Sequence, residues 1–356
     1  MKRSIWAWVR VLGGVGILAV LLWRLGTGAF VDGLRVINGP ALALAFAIGV
    51  ATTVFSAWRW CLVARGLGMK LSLRGAIADY YKALFINAAL PGGVLGDVDR
   101  AVQHGREEGD VGRSVRAVVL ERTAGQVVLV SVGVTVLLTV PSPVLSHLQA
   151  NVRGIAVAAA TIAGLAALLV FAVGRLRSGA SRWARAARTG VAEVRSGLLA
   201  RRNWPGIVLA STVVLAGHLA TFVVAARAAG SDASVLRLAP LMLLALLAMT
   251  LPVNIGGWGP REGVTAWAFG AAGLSATQGL TIAVVYGLFA FVAALPGLVV
   301  IITRAVAAAR LRRVRARVAA LAPISVVPAL VPVAGPVTGP GPKALLPVRE
   351  LVASGA

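Results

Sequence analysis

One cysteine, three histidines and twelve acidic residues in 356 positions leave this chain little of the usual equipment of catalysis. The lone Cys61 excludes an intramolecular disulfide and a cysteine-based metal site, and its place in an apolar run reads as that of a small buried hydrophobe. His104, His147 and His218 fall in three separate places without metal-ligand spacing, no P-loop is present, and the scattered glycines match no nucleotide fingerprint. Charged residues make up only 13% of the chain. No stretch of soluble composition is long enough to bury a core of its own, so hydrolytic or transferase chemistry on a soluble domain has no room. The expectation is a protein without cofactor or metal, and not an enzyme.

What is present is apolar. The chain is 58% hydrophobic with a mean hydropathy of +0.87, which describes an all-α polytopic membrane protein. Six runs near the length needed to cross a hydrocarbon core of roughly 30 Å as helices lie at about 11–30, 41–64, 117–140, 154–174, 206–226 and 281–302. The first follows Lys2, Arg3 and Arg10 like a signal peptide, but continues past Arg24 to Phe30 without a clear small-x-small site. It reads as an uncleaved first helix.

Acid is scarce and base is not, so the formal net charge is +23. The arginines cluster between the apolar runs, which points to topology and anionic lipid headgroups rather than nucleic acid. Residues 175–203 carry eight arginines against Glu193 alone. The positive-inside rule places that segment, the N-terminus, the linker with Arg65, Lys70 and Arg74, and the tail from Arg304 in the cytoplasm of a cell that holds the protein in its plasma membrane. The poorly charged stretches 31–40, 141–152 and 227–237 then face outward.

A short pattern occurs twice with identical spacing: Leu90, Pro91, Gly96, Arg100 and, 161 residues later, Leu251, Pro252, Gly257, Arg261. Each copy follows an apolar run. A break in a lipid-buried backbone is tolerated only inside a protein bundle or against a wet cavity, and paired breaks in two halves point to a transporter's binding site. Charge parity sharpens this. Residues 65–75 and 101–116 are both inside, so 76–100 enters and returns; residues 238–275 do the same from outside. The neighbouring runs repeat at offsets of 165 and 164 and cross in opposite directions. The prediction is about six full transmembrane helices plus two re-entrant or broken elements in an inverted-topology repeat. Its halves are about 41–140 and 206–302 within a domain of 1–305, followed by a basic juxtamembrane segment, 306–321, and a disordered Pro/Val/Gly-rich tail, 322–356. The charged stretch 101–116 is expected to form an amphipathic cytoplasmic helix or loop.

Ionisable and amide groups gather beside the two breaks: Asn87, Asp97, Asp99 and Arg100 in the first, Asn254, Arg261 and Glu262 in the second. Such groups cost at least about 2.5–3.5 kcal/mol each in a bilayer and so usually face a partner or a cavity. If both tips approach the midplane, Arg100 and Arg261 offer two guanidinium forks suited to a phosphate, with the acids as resting partners. The alternative is ordinary salt bridging at the interface. Glycines at 92, 93, 96, 256, 257 and 259 would let backbone amides approach the headgroup (Gly92, Gly93, Gly96, Gly256, Gly257, Gly259). Glu121 and Arg122, just inside the run 117–140, can point into the same cavity. Arg59, between Trp58 and Trp60, reads as an interfacial anchor that snorkels, and Tyr80 and Tyr81 as headgroup-level aromatics.

The segments Asn87 to Arg100 and Leu251 to Glu262, with Glu121-Arg122 and the ending Leu295-Pro296-Gly297, resemble the lysylphosphatidylglycerol synthase transmembrane family, flippase-like integral membrane proteins, over about residues 5–305. The resemblance implies an eight-element bundle that moves lipids or lipid-linked headgroups between leaflets. In bifunctional members this domain precedes a soluble aminoacyltransferase domain, for which the Pro-rich tail here is no counterpart. Many relatives carry an arginine near Tyr286-Gly287, and this chain does not. The reading is a lipid flippase or transporter with anionic or lipid-linked lipids as partners. Two alternatives stand beside it: a non-transporting partner of a lipid or glycan synthase, and an intramembrane headgroup enzyme with Asp97, Asp99 or Glu262 as acid or base.

Overall fold

A chain this apolar has to satisfy its backbone hydrogen bonds within each segment, and helices do so. In a computed structural model, which describes residues 28–90, 93–142, 145–146, 150, 168, 182–250 and 258–321, the regular elements among the described residues are α-helices. They are α1 (Gly28–Arg35), α2 (Gly39–Gly66), α3 (Leu73–Ala89), α4 (Leu95–Glu107), α5 (Val111–Thr139), α6 (Arg182–Gly197), α7 (Trp204–Ala228), α8 (Val235–Ala248), α9 (Pro260–Ala271), α10 (Ala276–Ala294) and α11 (Pro296–Leu321). Side-chain caps mark several starts: Asn38 accepts from the Ala41 amide at 2.9 Å and Asp110 from that of Arg113 at 2.8 Å.

Four stretches among the described residues are long and apolar enough to cross a membrane: α2, α5, α7 and Ala276–Arg317. The protein is therefore an all-α polytopic membrane protein, and the runs expected at 41–64, 117–140 and 206–226 fall in α2, α5 and α7. The run expected at 281–302 straddles a break, because α10 ends at Ala294 and α11 starts at Pro296. A proline has no amide hydrogen to continue the helical ladder. The expected helix 154–174 lies outside the described residues except for position 168, and of 11–30 only 28–30 are described, within α1. The tail expected at 322–356 also lies outside them.

The two halves meet along α2 and α7. Arg59 bonds Ser211, a Cβ at Gly206 would lie 2.8 Å from Leu62 Cδ1, and one at Gly217 would run into Thr52. The numbers fall along α2 as they rise along α7, so these helices, related by the 165-residue offset, run antiparallel. That is the relation an inverted repeat requires. The other pairings obey the same exchange of halves: α3 with α4 mirrors α8 with α9, α4 with α5 mirrors α9 with α10, and α5 with α7 mirrors α10 with α2. Helix α10 is buried on nearly every side, from Gly279 to Gly287, whereas α2, α5 and α7 each keep an exposed apolar stripe.

The helical pairs on either side of the two motifs return to the end from which they start. Glu108, just past α4, accepts from the Lys70 amide just before α3 at 3.3 Å. Arg237, at the start of α8, donates to the carbonyl of Ala272, just past α9, at 2.8 Å. These two ends lie at opposite poles of the bundle. The first pole collects the cations: Arg116 pairs with Glu193 at 2.6 Å, Gly66 packs on Ser196, Gly197 and Asn203, and Arg304 pairs with Asp79 at 2.5 Å. The charged stretch 101–116, expected as an amphipathic helix or loop, is divided between two helices and the turn that joins them. Helix α4 carries it to Glu107, Gly109 turns at a φ of 76° and Asp110 caps α5, which takes the remainder. The chain divides into a unit of residues 1–306, to which these contacts belong, and residues 307–356, in which α11 continues to Leu321.

Candidate functional site

The first motif is built around a helix start that cannot cap itself. Val94 precedes α4 and offers no side-chain acceptor, so Asn87 reaches across from α3 and its Oδ1 accepts the Gly96 amide at 2.8 Å. A side chain at Gly96 would collide with the backbone of Ala83, which explains a glycine where α3 and α4 touch. The Asn87 amide donates in turn to Asp97 Oδ2 at 3.2 Å. Asp97 Oδ1 accepts three further N–H groups: Arg100 Nε at 2.9 Å, and Arg122 Nη2 and Nε at 2.7 and 3.2 Å.

Behind this lies Glu121, wholly buried. Its Oε1 accepts from Arg59 Nη2 and Nε at 2.5 and 3.0 Å and from the Tyr80 hydroxyl at 3.2 Å, while Oε2 accepts from Arg100 Nη2 at 2.7 Å. Arg59 also donates to Ser211 Oγ of α7 at 3.1 Å, tying the network to the second half. The Arg100 guanidinium sits between the rings of Trp60 and Tyr80, 4.6 and 4.5 Å from their centroids. Three guanidiniums here face two carboxylates, so the network carries a surplus of one positive charge. Only Arg122 opens outward, with 40% of its side chain exposed against 1% for Arg100.

The second motif repeats the theme with fewer charges. Glu262 Oε2 accepts the Gly259 amide at 2.6 Å at the start of α9, and its Oε1 accepts from Arg261 Nε at 2.8 Å and also from Nη2. Arg261 lies over Trp258 and Tyr286, 4.9 and 5.3 Å from their centroids. Gly287 is the floor: a Cβ there would meet the Arg261 guanidinium and come within 2.8 Å of Trp258. The Tyr286 hydroxyl bonds His218 Nδ1 of α7 at 3.0 Å.

The structure thus brings Asn87, Asp97, Arg100, Glu121 and Arg122 into one network and leaves Arg261 and Glu262 as a second pair. Asp99 belongs to neither, since it turns to Lys82 at 2.7 Å. Arg100 is not the free fork expected for a phosphate, because Nε and Nη2 are held by carboxylates and the group is enclosed by aromatic rings. Gly93 and Gly259 adopt positive φ, 60° and 106°, where glycine is favoured. Asn254, Gly92, Gly256 and Gly257 lie outside the described residues. Sequence reasoning missed Arg59, Tyr80, His218 and Tyr286. Arg59 is no snorkelling anchor but a buried ion-pair partner, 4% exposed; the signal was available, since an isolated buried base calls for an acid and Glu121 stood unmatched in a neighbouring span.

Individually curated proteins give no match to the chain. The family model described as the lysylphosphatidylglycerol synthase transmembrane region matches residues 7–297, which contain both motifs and both clusters, and the chain belongs to that family of membrane proteins.

Proposed function

We propose that this protein moves an anionic lipid, or a lipid-linked anionic headgroup, between the leaflets of the cell membrane. The observation that carries the reading is the surplus positive charge at the first hairpin, exposed only through Arg122. An uncompensated charge at membrane depth calls for a counter-ion, and a phosphodiester supplies one negative charge with oxygens matched to a guanidinium. Asp97 is the resting partner of Arg122, and the headgroup takes its place while the acyl chains stay in the bilayer.

Helices α4, α8 and α9 have 13, 14 and 12 residues, about 18–21 Å at 1.5 Å per residue and too short to cross roughly 30 Å of hydrocarbon. Each hairpin accordingly enters and leaves on one face, the first from the cytoplasm with both chain termini on that side. Rocking of one half against the other alternates access. Every carboxylate of the two clusters is engaged by N–H donors, which supports binding rather than acid–base catalysis.

Reconstitution in vesicles with fluorescent phosphatidylglycerol or phosphatidylcholine tests this. Accelerated exchange of the anionic lipid, lost in Arg122→Gln, is expected; no acceleration with any anionic lipid overturns the reading.

A further inference from the structure

Four polar atoms beside the first cluster are buried and have no hydrogen-bond partner among the described residues: Trp60 Nε1, Arg100 Nη1, His104 Nε2 and Ser114 Oγ. None of these residues is more than 3% exposed. Asp99 Oδ2 shares that burial but has Lys82 Nζ at 2.7 Å. Buried polar groups in folded proteins are nearly always paired, so each orphan asks for a partner.

Three of the four meet at one ring. The Arg100 guanidinium lies over Trp60, 4.6 Å from its centroid, and the His104 ring stands edge-on to the same indole, 5.7 Å away at 75°. Arg100 and His104 are one turn apart on the same face of α4. Next to His104, Gly105 packs on α5, where a Cβ would come within 3.1 Å of Ser114 Cβ.

Trp60 Nε1 and Arg100 Nη1 can only donate, and His104 Nε2 donates in the tautomer that carries its hydrogen there. The carboxylate oxygens of Glu121 and Asp97 already receive N–H groups. The network also holds one positive charge in excess, Arg59, Arg100 and Arg122 against Asp97 and Glu121. Water would answer the N–H groups and leave that charge uncompensated in a dry interior; a monovalent anion answers both.

We propose that Trp60 Nε1, Arg100 Nη1 and His104 Nε2 hold a halide ion, chloride in the cell, as the resting counter-ion of the first cluster. The enclosure sets the class of ligand. A monatomic anion needs only N–H groups directed at it, whereas a phosphodiester brings two ester chains, for which residues this buried leave no way in. Ser114, two residues from Arg116 at the first pole, supplies a hydroxyl on the side from which the ion arrives. The site rests on the surplus charge that the transport reading also uses, and not on transport itself. A lipid phosphate meets the cluster from outside at Arg122, the halide from within at Arg100.

The chain has only three histidines, so full-length protein labelled with 15N-histidine gives a simple side-chain spectrum in detergent, and His104→Phe identifies the resonance. Chloride titrated against gluconate at constant ionic strength is expected to shift the His104 Nε2 resonance saturably. Trp60→Phe keeps a ring and removes one N–H, and should weaken chloride about tenfold, as loss of one hydrogen bond to a charged group does. His104→Phe should weaken it by as much, read from the chloride NMR line width. If neither variant folds, the wild-type titration still decides, with His147→Gln and His218→Gln assigning the spectrum by elimination. Absence of a saturable shift in the wild type overturns the proposal and leaves these donors to water. An equal shift with gluconate, or chloride binding unchanged in both variants, overturns it as well. Chloride binding without lipid exchange removes the transport reading and leaves this site standing, whereas exchange without chloride binding does the reverse.

Discussion

Arg59 of α2 and Glu121 of α5 lie 62 residues apart in sequence and 2.5 Å apart in space, at 4% and 0% exposure. Neither has water to fall back on. The carboxylate collects Arg59, Arg100 and Tyr80, so three helices converge on it. Breaking such a pair costs more than forming it gained, because the partner is left charged and buried.

Glu121→Gln is therefore expected to lower stability by about 3–5 kcal/mol, as loss of one partner of a buried pair does. Thermal melting in detergent checks this. Asp99→Asn is the control: Asp99 is 40% exposed on its side chain, and losing a pair of that kind is worth about 0–1 kcal/mol.

Arg122→Gln is expected to behave differently. Its guanidinium is partly exposed and its partner Asp97 keeps Arg100 and Asn87, so melting should move little while exchange of an anionic lipid falls at least tenfold. A large loss of stability with unchanged exchange would assign Arg122 to the scaffold instead.

Gly287→Ala puts a methyl where the Arg261 guanidinium and the Trp258 ring now lie. Overpacking of this kind costs about 1–3 kcal/mol, and the displaced Arg261 should make lipid exchange resemble that of Arg261→Ala. Melting and vesicle exchange on both variants test the correspondence.

Cys61 is buried and is the chain's one cysteine, so single cysteines placed on a Cys61→Ala background report topology cleanly. Labelling at Arg106 is expected only from the cytoplasmic side and at Gly273 only from outside. Labelling of both from one side would end the opposed-hairpin arrangement.

The spans α2, α5 and α7 were legible because length and apolarity alone define a crossing helix. The break before Pro296 was missed because the run stays apolar through it, although the Pro296-Gly297 pair was there to signal it. Identical spacing in the two motifs pointed to Asn87, Asp97 and Arg100, and proximity in sequence was enough because the contacts among them are local. Arg59 with Glu121, and His218 with Tyr286, depend on which faces two distant helices turn to each other. A run without amphipathic period does not encode that. The family resemblance supplied the expectation of a lipid cargo, and the surplus of arginines over acids in the first network is what turns the proposal toward an anionic one.

Asp79 has one further implication. Its side chain is 8% exposed and its partner is Arg304, 225 residues later. Close by, the carbonyl of Tyr81 lies against Gly297, where a Cβ would not fit. The first hairpin docks on its own half through Glu121, but its acid Asp79 is neutralised only by the end of the domain. On the ribosome, α3 waits with an unneutralised acid until nearly the whole domain has been made. Truncations that stop before Pro296 should leave Asp79 unpaired and the Tyr81 face of α3 uncovered in a hairpin otherwise docked on its own half, so the order of synthesis leaves one contact of the first half to be finished last.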